Sequence, residues 1–76
     1  LTQTYFSSLF KKETGMSFVE YLTDTRMKEA MRLLKETNEK IYVVAQKVGY
    51  LESGYFSHVF KKKYGMSPIQ CRRQGQ

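Results

Sequence analysis

The sequence predicts an all-α domain containing two similar supersecondary units, on three observations. The first is an internal repeat. Residues 5–17 read Y-F-S-S-L-F-K-K-E-T-G-M-S and residues 55–67 read Y-F-S-H-V-F-K-K-K-Y-G-M-S, with 9 of 13 positions identical at an offset of 50 residues. The second is helical spacing: Phe6, Leu9 and Phe10, and again Phe56, Val59 and Phe60, stand at i, i+3, i+4 and make one apolar stripe in each copy. The third is the lack of a strand pattern, since hairpin dipeptides such as Asn-Gly are missing and β-branched residues rarely alternate with polar ones.

Taken in order, the first repeat helix runs from about Thr4 to Thr14. Gly15 stops it, because glycine takes the left-handed conformation after a helix at little cost. Ser17-x-x-Glu20 is a capping box that starts the next helix. Phe18, Leu22, Ala30, Leu33 and Leu34 follow at broadly helical spacing, with Val19, Met27 and Met31 widening the face. Neither proline nor glycine interrupts residues 18–36, so one long helix should end near Thr37-Asn38. Arg26 falls on this apolar stripe, and a pair with a carboxylate is the expected way to bury it, with a phosphate contact as the alternative. Ile41, Val44, Ala45 and Val48 make a short helix that Gly49 ends. After a turn over residues 50–53, the second repeat helix runs from about Ser53 to Tyr64, and Gly65 stops it as Gly15 stops the first. Ser67-Pro68 then starts a last short helix, with serine as N-cap and proline at the first helical position.

Composition narrows the function. A chain of 76 residues allows one small domain with a modest helical core and no deep substrate cavity. The formal charge is +6, gathered in Lys11-Lys12, Lys61-Lys62-Lys63 and Arg72-Arg73, which points to a polyanionic partner, nucleic acid or an anionic membrane surface. Cys71 is the only cysteine and His58 the only histidine, so neither an internal disulfide nor a clustered metal site is expected; a small half-buried helix residue is the expected role of Cys71. One cysteine suits a reducing cytosol, no apolar run is long enough for a transmembrane span, and no signal peptide is visible. The opening Leu1-Thr2-Gln3 lacks an initiator methionine and points to a fragment of a longer protein.

Each repeat helix has a second face. Gly54, Ser57, His58 and Lys61 recur at i, i+3, i+4, i+7, and Thr4, Ser7, Ser8 and Lys11 match them in the first copy. Small side chains let a helix approach a surface closely, and their hydroxyls can bond phosphate or base edges. An ordinary solvated face explains one such stripe; the same stripe twice, each with a Lys-Lys pair, favours a binding face. Residues 41–60 add a helix, a Gly-centred turn and a second helix, with Ala45 four before Gly49 so that the helices can cross closely. That is the helix-turn-helix pattern, in which the second helix enters the DNA major groove.

The run I-Y-V-V-A-Q-K-V-G-Y-L-E-S-G-Y-F-S-H-V-F-K-K-K-Y-G-M-S-P-I-Q-C-R resembles the signature of the AraC/XylS-type transcription regulators, and F-K-K-E-T-G-M-S-F-V-E-Y-L-T-D-T-R-M-K-E-A-M-R-L-L fits the same pattern upstream. The resemblance implies two helix-turn-helix units joined by the long helix and reading two successive major-groove turns. By this division residues 1–16 are a remnant of the first unit, 17–37 the linker helix, and 40–76 the second unit with its closing helix. A linker of that size is about 30 Å long, close to the separation of about 34 Å between successive major-groove faces. This sequence departs from the pattern at His58, where arginine is frequent, at Leu51, where a polar turn residue is usual, and at Cys71, where an aromatic is usual. The first unit also lacks a positioning helix of its own.

Carried over by position, Ser53, Gly54, Ser57 and His58 are the base-facing residues of the second unit, and Gln3, Thr4, Ser7 and Ser8 those of the first. Lys11, Lys12, Lys40, Lys61 and Lys62 are the phosphate-holding residues. Gln3 carries the most informative chemistry, since glutamine can pair with both hydrogen-bonding groups of adenine. Double-stranded DNA is then the expected partner, with no cofactor and no membrane. The resemblance adds an upstream sensory or receiver domain in the full-length protein and admits RNA polymerase as a further partner. The competing reading is a helical protein-interaction module whose basic face meets an acidic partner. An enzyme is not expected: no nucleophile–base pair or phosphate-cradling glycine loop is evident, and of Glu20 and Asp24, one turn apart, Glu20 is already explained by its cap.

Overall fold

A computed structural model describes residues 3–75, with Gln3 described by its backbone alone. Five helices follow one another: α1 (Gln3–Thr14), α2 (Phe18–Glu36), α3 (Ile41–Lys47), α4 (Ser53–Tyr64) and α5 (Pro68–Gln74), and no strand occurs among the described residues. The boundaries follow local chemistry. Ser17 and Glu20 form the expected capping box, with the Glu20 N–H donating to Ser17 Oγ at 3.1 Å and the Ser17 N–H to Glu20 Oε2. Thr37 caps the far end of α2, its N–H and its hydroxyl both donating to the Leu33 carbonyl. A second box, Ser67 with Gln70, opens α5. Gly15 and Gly65 end the two repeat helices at φ 81° and 77°.

The core belongs to one half of the molecule. Met27, Ala30 and Leu34 of α2 meet Val44 and Ala45 of α3 and Phe56 and Phe60 of α4, each 1% exposed or less. The buried Cys71 seals the far side of this core from α5, its Sγ lying 3.1 Å from Met31 Sδ. Arg72 Nε donates to the Leu34 carbonyl at 3.1 Å and ties α5 to the end of α2. No residue before Met27 is buried among the described residues. The shape reflects this: extents of 45 × 21 × 19 Å and a radius of gyration of 14.3 Å, where a compact chain of this length has about 11 Å.

Three expectations need correction. Arg26 pairs with no carboxylate among the described residues; its guanidinium lies 5.5 Å above the Tyr50 ring instead. An aromatic face accepts a cation while leaving it partly wet, so the side chain needs no counter-ion. Val19 is exposed and does not widen the apolar face of α2. Met27 does widen that face and packs in the core, while Phe18 and Tyr21 meet the Phe10 ring edge-on at 5.6 and 5.3 Å. Cys71 is buried rather than half-buried.

Candidate nucleic-acid interface

The α3–turn–α4 unit is assembled around Gly49 and Phe56. Val48 caps α3, Gly49 follows at φ 105°, and the Tyr50 N–H returns to the Ala45 carbonyl at 2.8 Å. A Cβ on Gly49 would stand 3.1 Å from the Arg26 guanidinium, so the turn is both left-handed and pressed against α2. The Tyr50 ring then meets the Arg26 guanidinium and the rings of Tyr55 and Phe56. Phe56 and Phe60 hold one face of α4 in the core, which turns the opposite face to solvent. On it Gly54, His58 and Lys61 are exposed, and Ser53 and Ser57 are half-buried. Lys62 is exposed beside them, and Lys40 is exposed at the N-cap of α3.

The start of α4 holds a residue that sequence reasoning missed. Glu52 is its N-cap, with Oε1 accepting from the Gly54 N–H at 2.9 Å and Oε2 from the Tyr55 N–H at 2.7 Å. These two bonds hold the carboxyl below the usual carboxylate range. A Cβ on Gly54 would lie 3.0 Å from Glu52 Oε2, so Gly54 leaves room for the cap as well as for a close approach. The usual N-cap residues are Ser, Thr, Asp and Asn, so a glutamate at this position gives little sequence signal.

α1 carries the matching stripe at the far end of α2. Thr4, Ser8, Lys11 and Lys12 are exposed and Ser7 is half-buried. The side chain of Gln3 lies outside the described residues, although its backbone begins α1. Between the two repeat helices, α2 spans 19 residues, about 28 Å.

A groove of about 520 Å³ runs where α4 passes the first half of α2, lined by Glu20 and Asp24 on one side and by Tyr55, His58, Lys62 and Lys63 on the other. It brings His58 and Lys62, one from each predicted class, to a common edge. Within it Asp24 accepts from Lys63, and its second oxygen is 3.0 Å from Lys28. These two ammonium groups hold the Asp24 carboxyl below its usual range, Lys63 first. Among the described residues no helix is long and apolar enough to cross a membrane, and no group of three or more His, Cys, Asp or Glu residues could hold a metal ion.

A short helix, a left-handed glycine turn and a second helix whose outer face is small, polar and basic define a helix-turn-helix domain. Comparison with known proteins gives the family. A helix-turn-helix domain family model matches residues 1–74. The chain is 44% identical over 64 residues to the HTH-type transcriptional regulator YobQ of Bacillus subtilis, covering 84% of this chain and 27% of that protein. It superposes with TM-score 0.95 and 43% identity on the C-terminal domain of AraT, a response regulator from Geobacillus stearothermophilus, covering 97% of this chain and 61% of that one. A DNA-binding transcriptional dual regulator from Escherichia coli K-12 gives TM-score 0.81 at 35% identity, with 90% and 64% covered. The chain belongs to this family, the AraC-type helix-turn-helix domains of transcription regulators. It spans about a quarter of the length of the curated relatives it matches, 27% of YobQ being covered.

Proposed function

We propose that this domain binds duplex DNA by sequence, with α4 in one major groove and α1 in the next. Ser53, Gly54, Ser57 and His58 face the bases from α4, and Gln3, Thr4, Ser7 and Ser8 from α1. Lys11, Lys12, Lys40, Lys61 and Lys62 take phosphates. The observation that carries this reading is the doubled stripe: the same small, polar, lysine-ended face lies exposed or half-buried on two helices joined by one continuous 19-residue helix. That helix is about 28 Å long, near the groove repeat of about 34 Å. Residues 1–16, 17–37 and 40–76 then act as the first-unit remnant, the linker and the second unit. Two relatives in solved structures are C-terminal domains of response regulators, which supports an upstream receiver or sensory domain in the whole protein. Cytoplasmic DNA, and RNA polymerase at a promoter, complete the setting.

The test is competition binding with a selected site and random duplex. His58→Ala is expected to shift site preference more than random-DNA affinity. Lys61→Ala with Lys62→Ala is expected to weaken all duplexes alike and flatten the salt slope by about 0.9 per lost contact. Equal loss on both duplexes for His58→Ala removes the base-contact role, and an unchanged salt slope in the double variant places these lysines away from DNA.

A further inference from the structure

The basic run of α4 does not present three equal charges. Lys61 and Lys62 are exposed with no partner among the described residues. Lys63 turns back onto Asp24 of α2, 39 residues earlier in the chain. Asp24 has both oxygens engaged, Oδ1 by Lys63 and Oδ2 by Lys28. Asp24 and Lys63 share the α2–α4 groove with His58 and Lys62, so the cluster borders the face assigned to DNA. The Lys28 side chain is 71% exposed and that of Lys63 30%, so both ammonium groups remain within reach of a second anion.

We propose that Asp24 is an internal counter-ion that withholds Lys28 and Lys63 from the phosphate backbone and so limits sequence-independent affinity. This rests on the DNA-binding reading above. A lysine placed on a phosphate releases a condensed counterion and tightens binding to every sequence equally. A carboxylate that occupies two lysines at the edge of the interface removes that gain without touching the residues that face bases. A tether between α2 and α4 is the competing role, but a tether needs one lysine on Asp24 where two are present.

The experiment measures binding of the 76-residue chain to a random-sequence duplex by fluorescence anisotropy from 50 to 200 mM salt. Asp24→Asn keeps the shape of the side chain and removes its charge. Its salt slope is expected to steepen by about 0.9 if one lysine reaches phosphate and about 1.8 if both do, with tighter binding at the low-salt end. Adding Lys63→Ala to Asp24→Asn takes back about 0.9 of that increase. Glu29→Gln makes the same change in net charge on another side of α2, where Glu29 pairs with Arg32, and is expected to leave the slope alone. Circular dichroism confirms that each variant is folded. An unchanged slope for Asp24→Asn, or weaker binding without a change of slope, makes the cluster a tether and overturns the proposal. Equal steepening by Glu29→Gln reduces it to a net-charge effect and overturns it too. If the unaltered chain shows no salt-dependent binding to duplex, the DNA-binding reading itself fails, a result distinct from the other two.

Discussion

Phe6 and Phe56 occupy the same place in the repeat and end in opposite environments: Phe6 is 55% exposed and Phe56 fully buried. Phe10 is half-buried where Phe60 is fully buried, and Leu9 is exposed where Val59 packs against the core. The sequences of the two helices cannot explain this, since they are nearly the same. The difference is what lies beside them. α4 has α3 across its apolar stripe, supplying Val44, Ala45 and Val48. Among the described residues α1 rests on the start of α2, where Phe18 and Tyr21 touch Phe10 and leave Phe6 and Leu9 open. A helix-turn-helix unit is therefore stabilised by its first helix as much as by its recognition helix.

The comparison is broken most sharply by truncating the matched phenylalanines. Phe60→Ala removes a fully buried ring and is expected to cost about 3–5 kcal/mol, much of the roughly 4–11 kcal/mol that a domain of this length has. Phe6→Ala removes a ring that is mostly in water already and is expected to cost under about 1 kcal/mol. Urea unfolding of the two variants checks this, and equal costs would show that the two stripes are equally covered.

The glycine turns give a smaller contrast. Gly49→Ala combines a left-handed backbone with a Cβ 3.1 Å from Arg26 and is expected to cost about 1–3 kcal/mol. Gly15→Ala meets a similar φ in open space. Its backbone penalty of about 1–2 kcal/mol falls on α1 alone, so the main unfolding transition stays in place while helicity at the start of the chain drops. Thermal melts followed by circular dichroism separate the two outcomes.

Much of this architecture was legible before the structure, and the exceptions share a cause. Gly15, Gly65, Ser17 and Ser67-Pro68 act within one turn of the chain, so their helix boundaries could be read directly. The Ser67–Gln70 box acts over the same short range. Arg26 could not be placed, because its partner Tyr50 is supplied by the turn of another unit. The Lys63–Asp24 pair could not be read either, because its two members lie on different helices 39 residues apart. The outward stripe on α4 was predictable by helical spacing, because Phe56 and Phe60 bury the opposite side; on α1, Phe6 and Leu9 are exposed as well, so exposure there singles out no one face. Glu52 was missed because helix starts are read from Ser, Thr, Asp or Asn at the N-cap, and glutamate is not among them.

Glu52 gives the smallest expected effect. Its carboxyl is held below the ordinary value of 4.5 by the Gly54 and Tyr55 N–H groups. A depressed folded-state pKa stabilises above the ordinary value and loses that contribution as pH falls through the folded-state value. Stability should therefore decline on acidification below pH 4.5, and Glu52→Gln should make the decline shallower while lowering stability at neutral pH. The first turn of α1 carries no acidic residue, so acid should not loosen α1 through a matching cap. An acid limb unchanged by Glu52→Gln would remove the cap from the account.

The central claim is that α4 is completed within this chain and α1 is not. Native-state hydrogen exchange, run beside sedimentation to fix the association state, tests it most directly. In a monomer, amides of residues 6–10 are expected to exchange far faster than those of residues 56–60, whose opening requires global unfolding. Protection of residues 6–10 that appears only as the chain self-associates is the same claim seen from the other side, with a second copy supplying the cover. A monomer in which residues 6–10 are protected as strongly as residues 56–60 would contradict it, and would mean that α2 alone completes the first unit.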